Sequence, residues 1–404
     1  MSFYDALETR SADQRAADLA RDLPAQIARA QGLSGNASAL AGVQAASVTD
    51  MAGLAGLPVL RKSALVEAQT PDAPLGGYAG LLSQFSHVFQ SPGPIYEPGG
   101  VEGDWFRLGR FAHAAGIGAD DIVQNCFGYH LTPAGMMFES AARAVGATVL
   151  PAGTGQTELQ AQAAVHVGAT AYAGTPDYLK VILEKADELG LQTRFAKAAV
   201  SGGALFPSLR DWYSDRGVAC LQCYATADLG NVAYESEAME GLIVDEGVIV
   251  EIVTPGTGDP VPEGEVGEVV VTALNSAYPL IRFATGDLSA VLSGTSPCGR
   301  TNMRIKGWMG RADQTTKIKG MFVRPEQVAA FVAKHEAIAR ARVVVTREGE
   351  MDAMTVMVET EAQDAAAFEG AMIETLKLKG RIELSAPGTL PRDGRVIDDQ
   401  RSYD

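Results

Sequence analysis

The side chains best suited to chemistry lie in two segments near residue 300. The first, PLIRFATGDLSAV (279–291), contains the turn Thr285-Gly286-Asp287, which presents a carboxylate to a ligand with hydroxyl groups. The second, GWMGRADQTTKIKGMFVRPEQV (307–328), places a basic run and a glycine before a helix-like stretch. Together the two segments predict a site for a ligand that carries both hydroxyl and phosphate groups.

The charge balance limits what the partners can be. The chain has 404 residues, in which 33 Lys and Arg stand against 49 Asp and Glu, so its formal net charge is −16. Such a field repels nucleic acid and anionic lipid, and neither is an expected partner. A nucleotide can bind only where local amides, basic side chains and Mg²⁺ outweigh the overall field.

The composition is that of an ordinary α/β protein. No apolar run reaches the roughly 18 residues that a membrane span needs, and the N-terminus is charged throughout. The four cysteines, at positions 126, 220, 223 and 298, are too unevenly placed for a disulfide framework and are interpreted as reduced thiols. We therefore expect a cytoplasmic protein with no membrane segment.

Hydrophobic periodicity divides the chain into regions. Residues 1–70 have helical spacing. From about 80 to 240, short β-like runs alternate with helices expected over 102–116, 134–145 and 157–167, which predicts a mostly parallel sheet with ligand loops at the carboxyl ends of its strands. A period of two over 242–292 predicts a β-meander or small barrel.

The C-terminal region has a different pattern. After residue 311 the order helix, strand, strand, helix, strand predicts a compact α+β unit. We therefore expect an α/β fold with a large N-terminal domain over 1–311 and a small, mobile C-terminal domain over 312–404.

With these elements in order, the chain resembles the phenylacetate–coenzyme A ligase family of the adenylate-forming (acyl-CoA synthetase, AMP-binding) superfamily. The resemblance is carried by LPVLRKSAL, GATVLPAGTGQTELQ, ATAYAGTPDYL, SGGALF, YATADLG, RFATGDLS, GRADQTTKIKG with VRPEQV, and RVIDDQR. Their shared order and spacing are more specific than any single motif. The resemblance implies an acyl-CoA synthetase-like fold and an AMP-forming acid–thiol ligase, with ATP, AMP, Mg²⁺ and coenzyme A as cofactors and a possible homodimer.

The resemblance also places specific residues around the nucleotide: an aromatic and an acid in one motif, ribose-binding groups, and glycines that let the backbone approach adenine. These residues are Tyr224, Ala225, Thr226, Asp228, Asp287, Arg311, Gly202 and Gly203. Tyr224 would pack on adenine, Asp228 would hold Mg²⁺, and Asp287 would accept the ribose hydroxyls. Thr226 stands one position before the family's hydroxyl residue, so an ordinary strand role is the alternative interpretation of Tyr224 and Thr226.

The basic segment is where the resemblance places domain motion and the thiol. Asp313 would be the hinge between the adenylating and thiol-transferring poses. Lys319 and Gly320, with Lys317, would line the entrance for coenzyme A. The alternative interpretation of these lysines is a solvated surface run.

Two departures from the family pattern bear on the first half-reaction. The phosphate loop corresponds to QSPGPIYEP (90–98), in which three prolines remove amide donors and Glu97 adds a negative charge. The C-terminal lysine of the family is replaced by Arg392, so adenylation would be slower or would use Lys377 or Lys379.

A third difference concerns zinc. Where some family members have a Cys/His cluster, this chain has Ser236, Ile243, Ser296 and Cys298. Mg²⁺ is therefore the one metal expected.

The acid is the least specified ligand. The resemblance places the acyl group near Phe127, Tyr129 and His130, followed by Thr132 and Pro133. Aromatic lining suits an aryl or short branched acid, with phenylacetate as the first candidate. A hydrogen-bonded structural role is the alternative for His130.

The sequence leaves three functions open. The first is an ATP-dependent carboxylate–CoA ligase that acts through an acyl-adenylate. The second, which the proline-filled loop and Arg392 favour, is an adenylate-binding pseudoenzyme. The third is an adenylate-forming enzyme with an acceptor other than coenzyme A.

Overall fold

The chain divides into two units, Met1–Met309 and Gly310–Asp404. The computed structural model describes the chain except residues 1, 92–93, 101–102, 204, 255–256, 310–311, 313–315, 319–320, 324, 349–350, 392–394 and 402–404. The domain boundary expected after residue 311 falls beside residues outside the described part.

The helices of the larger unit lie in its first 215 residues. They are α1 (Ala12–Gln31), α2 (Met51–Ala55), α3 (Lys62–Ala68), α4 (Gly109–Ala114), α5 (Ala134–Ala144), α6 (Thr157–Val167), α7 (Pro176–Glu188) and α8 (Pro207–Asp215), with 3₁₀ turns at Ala6–Thr9, Ser34–Asn36, Ala45–Ser47 and Leu82–Gln84.

The strands of the larger unit continue to residue 305. They are β1 (Leu60–Arg61), β2 (His87–Ser91), β3 (Ile95–Gly99), β4 (Ile122–Asn125), β5 (Thr148–Pro151), β6 (Ala171–Gly174), β7 (Lys197–Val200), β8 (Ala219–Thr226), β9 (Gly230–Tyr234), β10 (Leu242–Val244), β11 (Val248–Val253), β12 (Gly267–Ala273), β13 (Phe283–Ser289), β14 (Val291–Leu292) and β15 (Arg304–Ile305).

The central sheet has the order β14-β15-β10-β9-β8-β7-β6-β4-β5 among the described residues. Its half from β5 to β8 is parallel, and the remaining pairs are antiparallel. The parallel strands follow the order second, first, third, fourth, fifth along the chain, so the strand order reverses between β4 and β6. Ligands in such sheets bind at the carboxyl ends of the strands near this reversal.

Both faces of the parallel half are buried, which explains its near-continuous apolar strands. Ala171 and Ala173 of β6 pack in the cluster that contains Phe111 and Phe138, whereas Tyr172 packs in the cluster that contains Leu179. Alternate side chains of the strand therefore pack against α4 and α5 on one face of the sheet and against α6 to α8 on the other face.

Helices α7 and α8 begin at the carboxyl edge of this sheet. Each has proline at its first turn, Pro176 after β6 and Pro207 after β7. Proline suits this position because backbone N–H groups in the first turn of a helix have no intrahelical acceptor. The N–H that proline lacks therefore removes no hydrogen bond from the helix. The sequence thus starts both helices where ligand loops are expected.

A second sheet has the order β1-β13-β12-β11 among the described residues, and it corrects part of the fold prediction. Strands β11, β12 and β13 form the expected antiparallel meander, but β1 adds in parallel to β13 and leaves an open sheet. The barrel alternative is therefore wrong, because an alternating pattern indicates strands but does not decide whether the sheet closes. Strands β2 and β3 form a separate hairpin.

The helix expected over 102–116 is also shorter than predicted, since α4 covers Gly109–Ala114 alone. Gly103 and Arg107 have φ values of +61° and +58°, which a right-handed helix does not allow. The Asp104 carboxylate accepts a hydrogen bond from the Gly109 N–H at 2.6 Å and ties down this turn. The spacing of polar and apolar residues in the sequence does not show that the helix begins only after this turn.

The smaller unit contains the hairpin β16 (Thr316–Ile318) and β17 (Met321–Val323), α9 (Pro325–Ala333), β18 (Ile338–Glu348), β19 (Met351–Thr360), α10 (Ala366–Leu376), β20 (Arg381–Ser385) and β21 (Ile397–Asp399). Its described sheet has the order β20-β19-β18-β21. Val328 and Phe331 of α9 and Met372 of α10 share one apolar core with this sheet. The α/β fold with a separate C-terminal α+β unit is thus confirmed. No helix in the described part of the chain is long and apolar enough to cross a membrane.

Candidate active site

A cavity of about 180 Å³ lies at the carboxyl ends of the parallel strands, where the topology predicts a ligand. Its lining residues are Ser91, Phe127, Thr132, Pro133, Ala134, Met137, Phe138, Ser201, Gly202, Ala225, Thr226 and Ala227. Phe127 follows β4, Gly202 follows β7, and Thr226 ends β8. Three separate loops of the sheet therefore meet at one cavity.

The YATAD segment reaches this cavity because β8 is irregular there. Its pairing with β9 shifts register between Tyr224 and Ala225. In a regular strand neighbouring side chains point to opposite faces, yet Ala225, Thr226 and Ala227 all line the cavity. The bulge therefore brings Thr226 to the ligand side despite its one-residue offset from the family motif. Its Oγ1 accepts a hydrogen bond from the Leu229 N–H at 3.1 Å, which fixes the following turn.

The glycine pair after β7 provides close backbone access. Gly202 lines the cavity and has a φ of +73°, a conformation that L side chains rarely adopt. A Cβ on Gly203 would lie 3.3 Å from Pro176 Cδ at the start of α7. Conformation at Gly202 and space at Gly203 therefore both favour glycine.

Asp287 lies on β13 and is buried. Its Oδ2 accepts a hydrogen bond from the Tyr224 hydroxyl at 2.8 Å, and its Oδ1 accepts one from Trp308 Nε1 at 3.0 Å. The residue expected to bind ribose is thus already hydrogen-bonded to the residue expected to pack on adenine. A carboxylate has about four lone-pair sites, so Asp287 can accept several hydrogen bonds at once.

Asp228 follows the cavity residues Thr226 and Ala227 but is not among the residues that line the cavity. Its Oδ2 accepts a hydrogen bond from Lys62 Nζ of α3 at 2.8 Å, and the Asp228 side chain is 1% exposed. Glu97 of β3 is fully buried nearby. Burial, followed by the charge of Asp228, raises the pKa of Glu97 to about 8.

These carboxylates are incompletely satisfied. Ser91 offers Glu97 hydrogen bonds that lower its pKa slightly, yet both Glu97 oxygens and Asp228 Oδ1 lack a partner with good hydrogen-bond geometry. Mg²⁺ prefers oxygen ligands, and carboxylate oxygens without a hydrogen-bond partner are suitable ones. Asp228 is therefore chemically suited to hold magnesium. No group of three or more His, Cys, Asp and Glu residues suited to a metal occurs among the described residues.

Two of the residues that the resemblance places at the acid lie elsewhere. Phe127 lines the cavity and stacks on Phe138 with ring centroids 4.3 Å apart, but Tyr129 and His130 are not among the lining residues. The Tyr129 hydroxyl accepts a hydrogen bond from buried Asn125 at 2.7 Å, and His130 is exposed. The structure thus brings one of the three to the cavity.

Five of the expected site residues lie outside the described part of the chain. They are Arg311, Asp313, Lys319, Gly320 and Arg392. The side chain of Lys317, in β16, is also outside it. Their roles stay predictions.

Cys298, at the position associated with zinc in some relatives, is buried among polar groups. Its Sγ lies 3.0 Å from Ser296 Oγ and accepts a hydrogen bond from Arg300 Nη1 at 3.5 Å. Burial raises the pKa of the Cys298 thiol, but hydrogen bonds with Ser236, Ser296 and Arg300 outweigh that effect and lower it. A guanidinium therefore supplies the positive charge at this thiol.

Sequence reasoning missed Lys62, Phe138 and Trp308 as neighbours of the site. Lys62 stands in the segment LPVLRKSAL, which carried part of the resemblance, so its basic side chain was the available signal. Phe138 looked like an ordinary apolar residue of α5. Trp308 gave no signal that it would contact Asp287.

Comparison with known proteins identifies relatives of the chain, although no family model matches it. The chain is 31% identical over 307 residues to a phenylacetate-coenzyme A ligase of Escherichia coli K12, covering 71% of this chain and 69% of the relative. It is 30% identical over 262 residues to the enzyme of that name from Thermus thermophilus, covering 62% of this chain and 59% of the relative. The chain thus matches less than two thirds of the Thermus protein's length.

A similar solved structure is a 2-hydroxyisobutyryl-CoA ligase in complex with 2-HIB-AMP and CoA. It is 25% identical, has a TM-score of 0.75, and the match covers 98% of this chain and 92% of that chain. The fold and the arrangement of the site are those of the adenylate-forming CoA ligases. Within that class, the chain belongs to the phenylacetate–CoA ligase family, whose members are acid–thiol ligases.

Proposed function

We propose that this chain is an ATP-dependent carboxylate–CoA ligase that forms an acyl-CoA through an acyl-adenylate. The observation that supports the proposal best is the convergence of the acid segment, the glycine pair and the YATAD segment on one cavity, represented by Phe127, Gly202 and Thr226. In the first half-reaction a carboxylate oxygen attacks the α-phosphorus of ATP and pyrophosphate leaves. In the second, the thiol of coenzyme A attacks the acyl carbon, loses its proton, and AMP leaves.

The described residues have distinct tasks in this scheme. Asp287 accepts the ribose hydroxyls and so fixes the nucleotide relative to the cavity, while the ring of Tyr224 packs on adenine. Gly202 and Gly203 let main-chain groups approach the nucleotide. Mg²⁺, when bound with ATP, neutralises phosphate charge. Arg392 and the residues near Asp313 are proposed to act in adenylation and in domain movement.

We infer that the acid is a compact apolar one, with phenylacetate as the first candidate. The cavity of about 180 Å³ has Phe127, Met137 and Phe138 in its wall. Apolar cavities of about 150 Å³ bind benzene, so the volume suits a single aromatic ring. A short branched hydroxy acid is the second candidate, because the hydroxyl-bearing residues Ser91 and Thr132 also line the cavity and a similar fold belongs to a 2-hydroxyisobutyryl-CoA ligase.

The test is product analysis by mass spectrometry. The purified full chain is incubated with Mg-ATP, coenzyme A and a pool of aryl, branched, hydroxylated and short linear acids. A new acyl-CoA that appears together with AMP supports the proposal and identifies the acid. Omission of ATP, of coenzyme A or of the acid pool must each abolish the product.

Two further arms separate the alternatives. Hydroxylamine replaces coenzyme A to trap an acyl-adenylate, and formation of a hydroxamate without any thioester would indicate a different acceptor. Asp287→Asn is the active-site control and Asp72→Asn, at an exposed position, the matched control. A wild-type chain that binds AMP but forms neither product would be the adenylate-binding pseudoenzyme.

A further inference from the structure

Asn125, the last residue of β4, holds the loop that leads to α5. Its side chain is fully buried and is not among the residues that line the cavity. Asn125 Nδ2 donates to the Tyr129 hydroxyl and to the Gly135 carbonyl, both at 2.7 Å, and Oδ1 accepts from the Phe127 N–H at 3.2 Å. One amide therefore ties together the beginning, the middle and the end of the loop.

The partners allow the amide one orientation. The Phe127 N–H can only donate and the Gly135 carbonyl can only accept, so Oδ1 must face the first and Nδ2 the second. Burial, followed by the charge and a hydrogen bond of Glu139 on α5, raises the pKa of Tyr129. The Tyr129 phenol therefore keeps its proton, accepts from the amide and donates to Glu139.

The loop also closes tightly on itself. The Gly135 N–H donates to the Gly128 carbonyl at 2.9 Å, and a Cβ on Gly135 would lie 2.7 Å from that oxygen and 2.8 Å from Tyr129 Cγ. On its outer side the loop is joined to β2, because the Leu131 carbonyl accepts a hydrogen bond from the Gln90 N–H at 2.9 Å. The loop is thus held from within the fold and from the hairpin.

This loop and the start of α5 provide half of the cavity lining. Phe127 stacks on Phe138 with ring centroids 4.3 Å apart, so the position of the loop sets the position of one ring of the apolar wall. The lining residues that the two segments contribute are Phe127, Thr132, Pro133, Ala134, Met137 and Phe138.

The residues expected to bind the nucleotide lie on other elements. Gly202 follows β7, Tyr224 lies on β8 and Asp287 on β13. The three side-chain hydrogen bonds of Asn125 all end on the loop or on the first turn of α5. A change at Asn125 should therefore act on the acid and leave the nucleotide unaffected.

We propose that Asn125 is a positioning residue for the acid, which holds the Phe127 ring against Phe138 and so sets the width of the apolar wall. It acts without contacting the acid or the nucleotide. Burial of an amide is costly unless its polar atoms are paired, and here all three bonds are made to the segment that they hold in place. The inference rests on the proposed function in taking the acid as the ligand of this wall.

The experiment measures acid binding by equilibrium dialysis of the full chain with AMP present, using phenylacetate, benzoate and isobutyrate as probes. Asn125→Leu removes all three hydrogen bonds without adding a charge, and the Kd of the acids that bind the wild type should rise by about tenfold or more. Tyr129→Phe removes one of the bonds and should raise the Kd by about threefold. The Kd of AMP, measured by titration without acid, should stay within about twofold in both variants.

Two matched variants control for a loss of stability. Asn36→Leu makes the same change at an asparagine that is also buried but does not line the cavity. Tyr178→Phe likewise removes one hydroxyl, which donates to the Gly155 carbonyl at 2.8 Å. Both control variants should bind the acids and AMP as the wild type does.

The pattern of losses distinguishes positioning from a purely structural role. A destabilised protein has fewer binding sites for both ligands at unchanged Kd, whereas a displaced wall raises the Kd of the acid alone. If Asn125→Leu does not fold, Tyr129→Phe decides the question. Wild-type acid affinity in the variants that fold, equal losses for acid and AMP, or no acid binding by the wild type would overturn the inference.

Turnover separates this inference from the proposed function. In an active ligase, Asn125→Leu should raise KM for the acid and leave KM for ATP unchanged. The expected binding pattern in a chain that forms no acyl-CoA would contradict the ligase and support the role of Asn125. Acyl-CoA formation with unaltered acid affinity in both variants would contradict that role alone.

Discussion

The phenol of Tyr224 donates a hydrogen bond to Asp287 Oδ2 at 2.8 Å. Two side chains expected to contact different parts of one nucleotide are therefore held together before the nucleotide binds. Tyr224 lies at the β8 irregularity and Asp287 on β13, so this contact also joins the two sheets of the larger unit. Such preorganisation lowers the entropy lost when a ligand is ordered.

The ring of Tyr224 should matter more for AMP binding than its hydroxyl. Tyr224→Ala should weaken AMP binding by roughly tenfold, because stacking of a base on an aromatic ring contributes about 1–3 kcal/mol. Tyr224→Phe keeps the ring and removes one hydrogen bond to Asp287, so AMP should bind about as tightly as to the wild type. Isothermal titration with AMP measures both, and a loss in Tyr224→Phe equal to that in Tyr224→Ala would contradict the stacking role.

Trp308 should compete with the nucleotide for Asp287. Its indole is 57% exposed, and its Nε1 occupies Asp287 Oδ1 at 3.0 Å. Trp308→Phe should therefore tighten AMP binding by about threefold, since an exposed hydrogen bond contributes less than a buried one. Trp212→Phe, the same change on α8, is the control. Weaker AMP binding in Trp308→Phe alone would show that the indole supports the ligand instead.

Glu97 should make the metal-free protein less stable as pH rises. Its pKa is raised from 4.5 to about 8 by burial and by Asp228, so the folded state holds a proton that the unfolded state releases. The stabilising contribution is complete below about pH 4.5 and is lost as pH rises toward 8; each unit of pKa shift corresponds to about 1.4 kcal/mol. Urea midpoints in EDTA between these pH values should fall for the wild type and for Glu67→Gln, the same change at an exposed position of α3, and less steeply for Glu97→Gln. Parallel curves for all three proteins would refute this assignment.

Local patterns in the sequence predicted helices and strands well but not the contacts that assemble the site. The helix expected over 157–167 matches α6, because apolar spacing and the following glycine are local signals. The contact of Lys62 with Asp228 joins residues 166 positions apart, and no local pattern specifies such a pairing. The register shift in β8 likewise occurs in its pairing with β9, and the residues of the YATAD segment alone do not predict it.

The buried pair of Arg282 and Glu251 should be a main stabilising contact of the second sheet. Arg282 is 2% exposed, donates from Nε to Glu251 at 3.0 Å, and also donates to the carbonyls of Ala55 and Gly258. Arg282→Met leaves the Glu251 charge buried and unpaired and should cost about 3–5 kcal/mol. Adding Glu251→Gln should recover part of that loss, because the double variant has no buried charge. Urea unfolding measures the cycle, and additive effects of the two changes would show that the pair is not coupled.

Thr132 should distinguish the two candidate acids. It lines the cavity on the loop before α5, and Thr132→Val keeps the shape of the side chain but removes its hydroxyl. An apolar aryl acid makes no use of that hydroxyl, so kcat/KM for phenylacetate should stay within about threefold of the wild type or rise. A hydroxylated branched acid would lose a hydrogen-bond partner, and its kcat/KM should fall by roughly tenfold. Thr170→Val is the control for stability. It makes the same change away from the cavity, at a threonine whose hydroxyl donates a hydrogen bond to Asp121 at 2.8 Å. A large loss for phenylacetate in Thr132→Val, with normal folding, would contradict an apolar acid and favour a substrate that hydrogen-bonds to this wall.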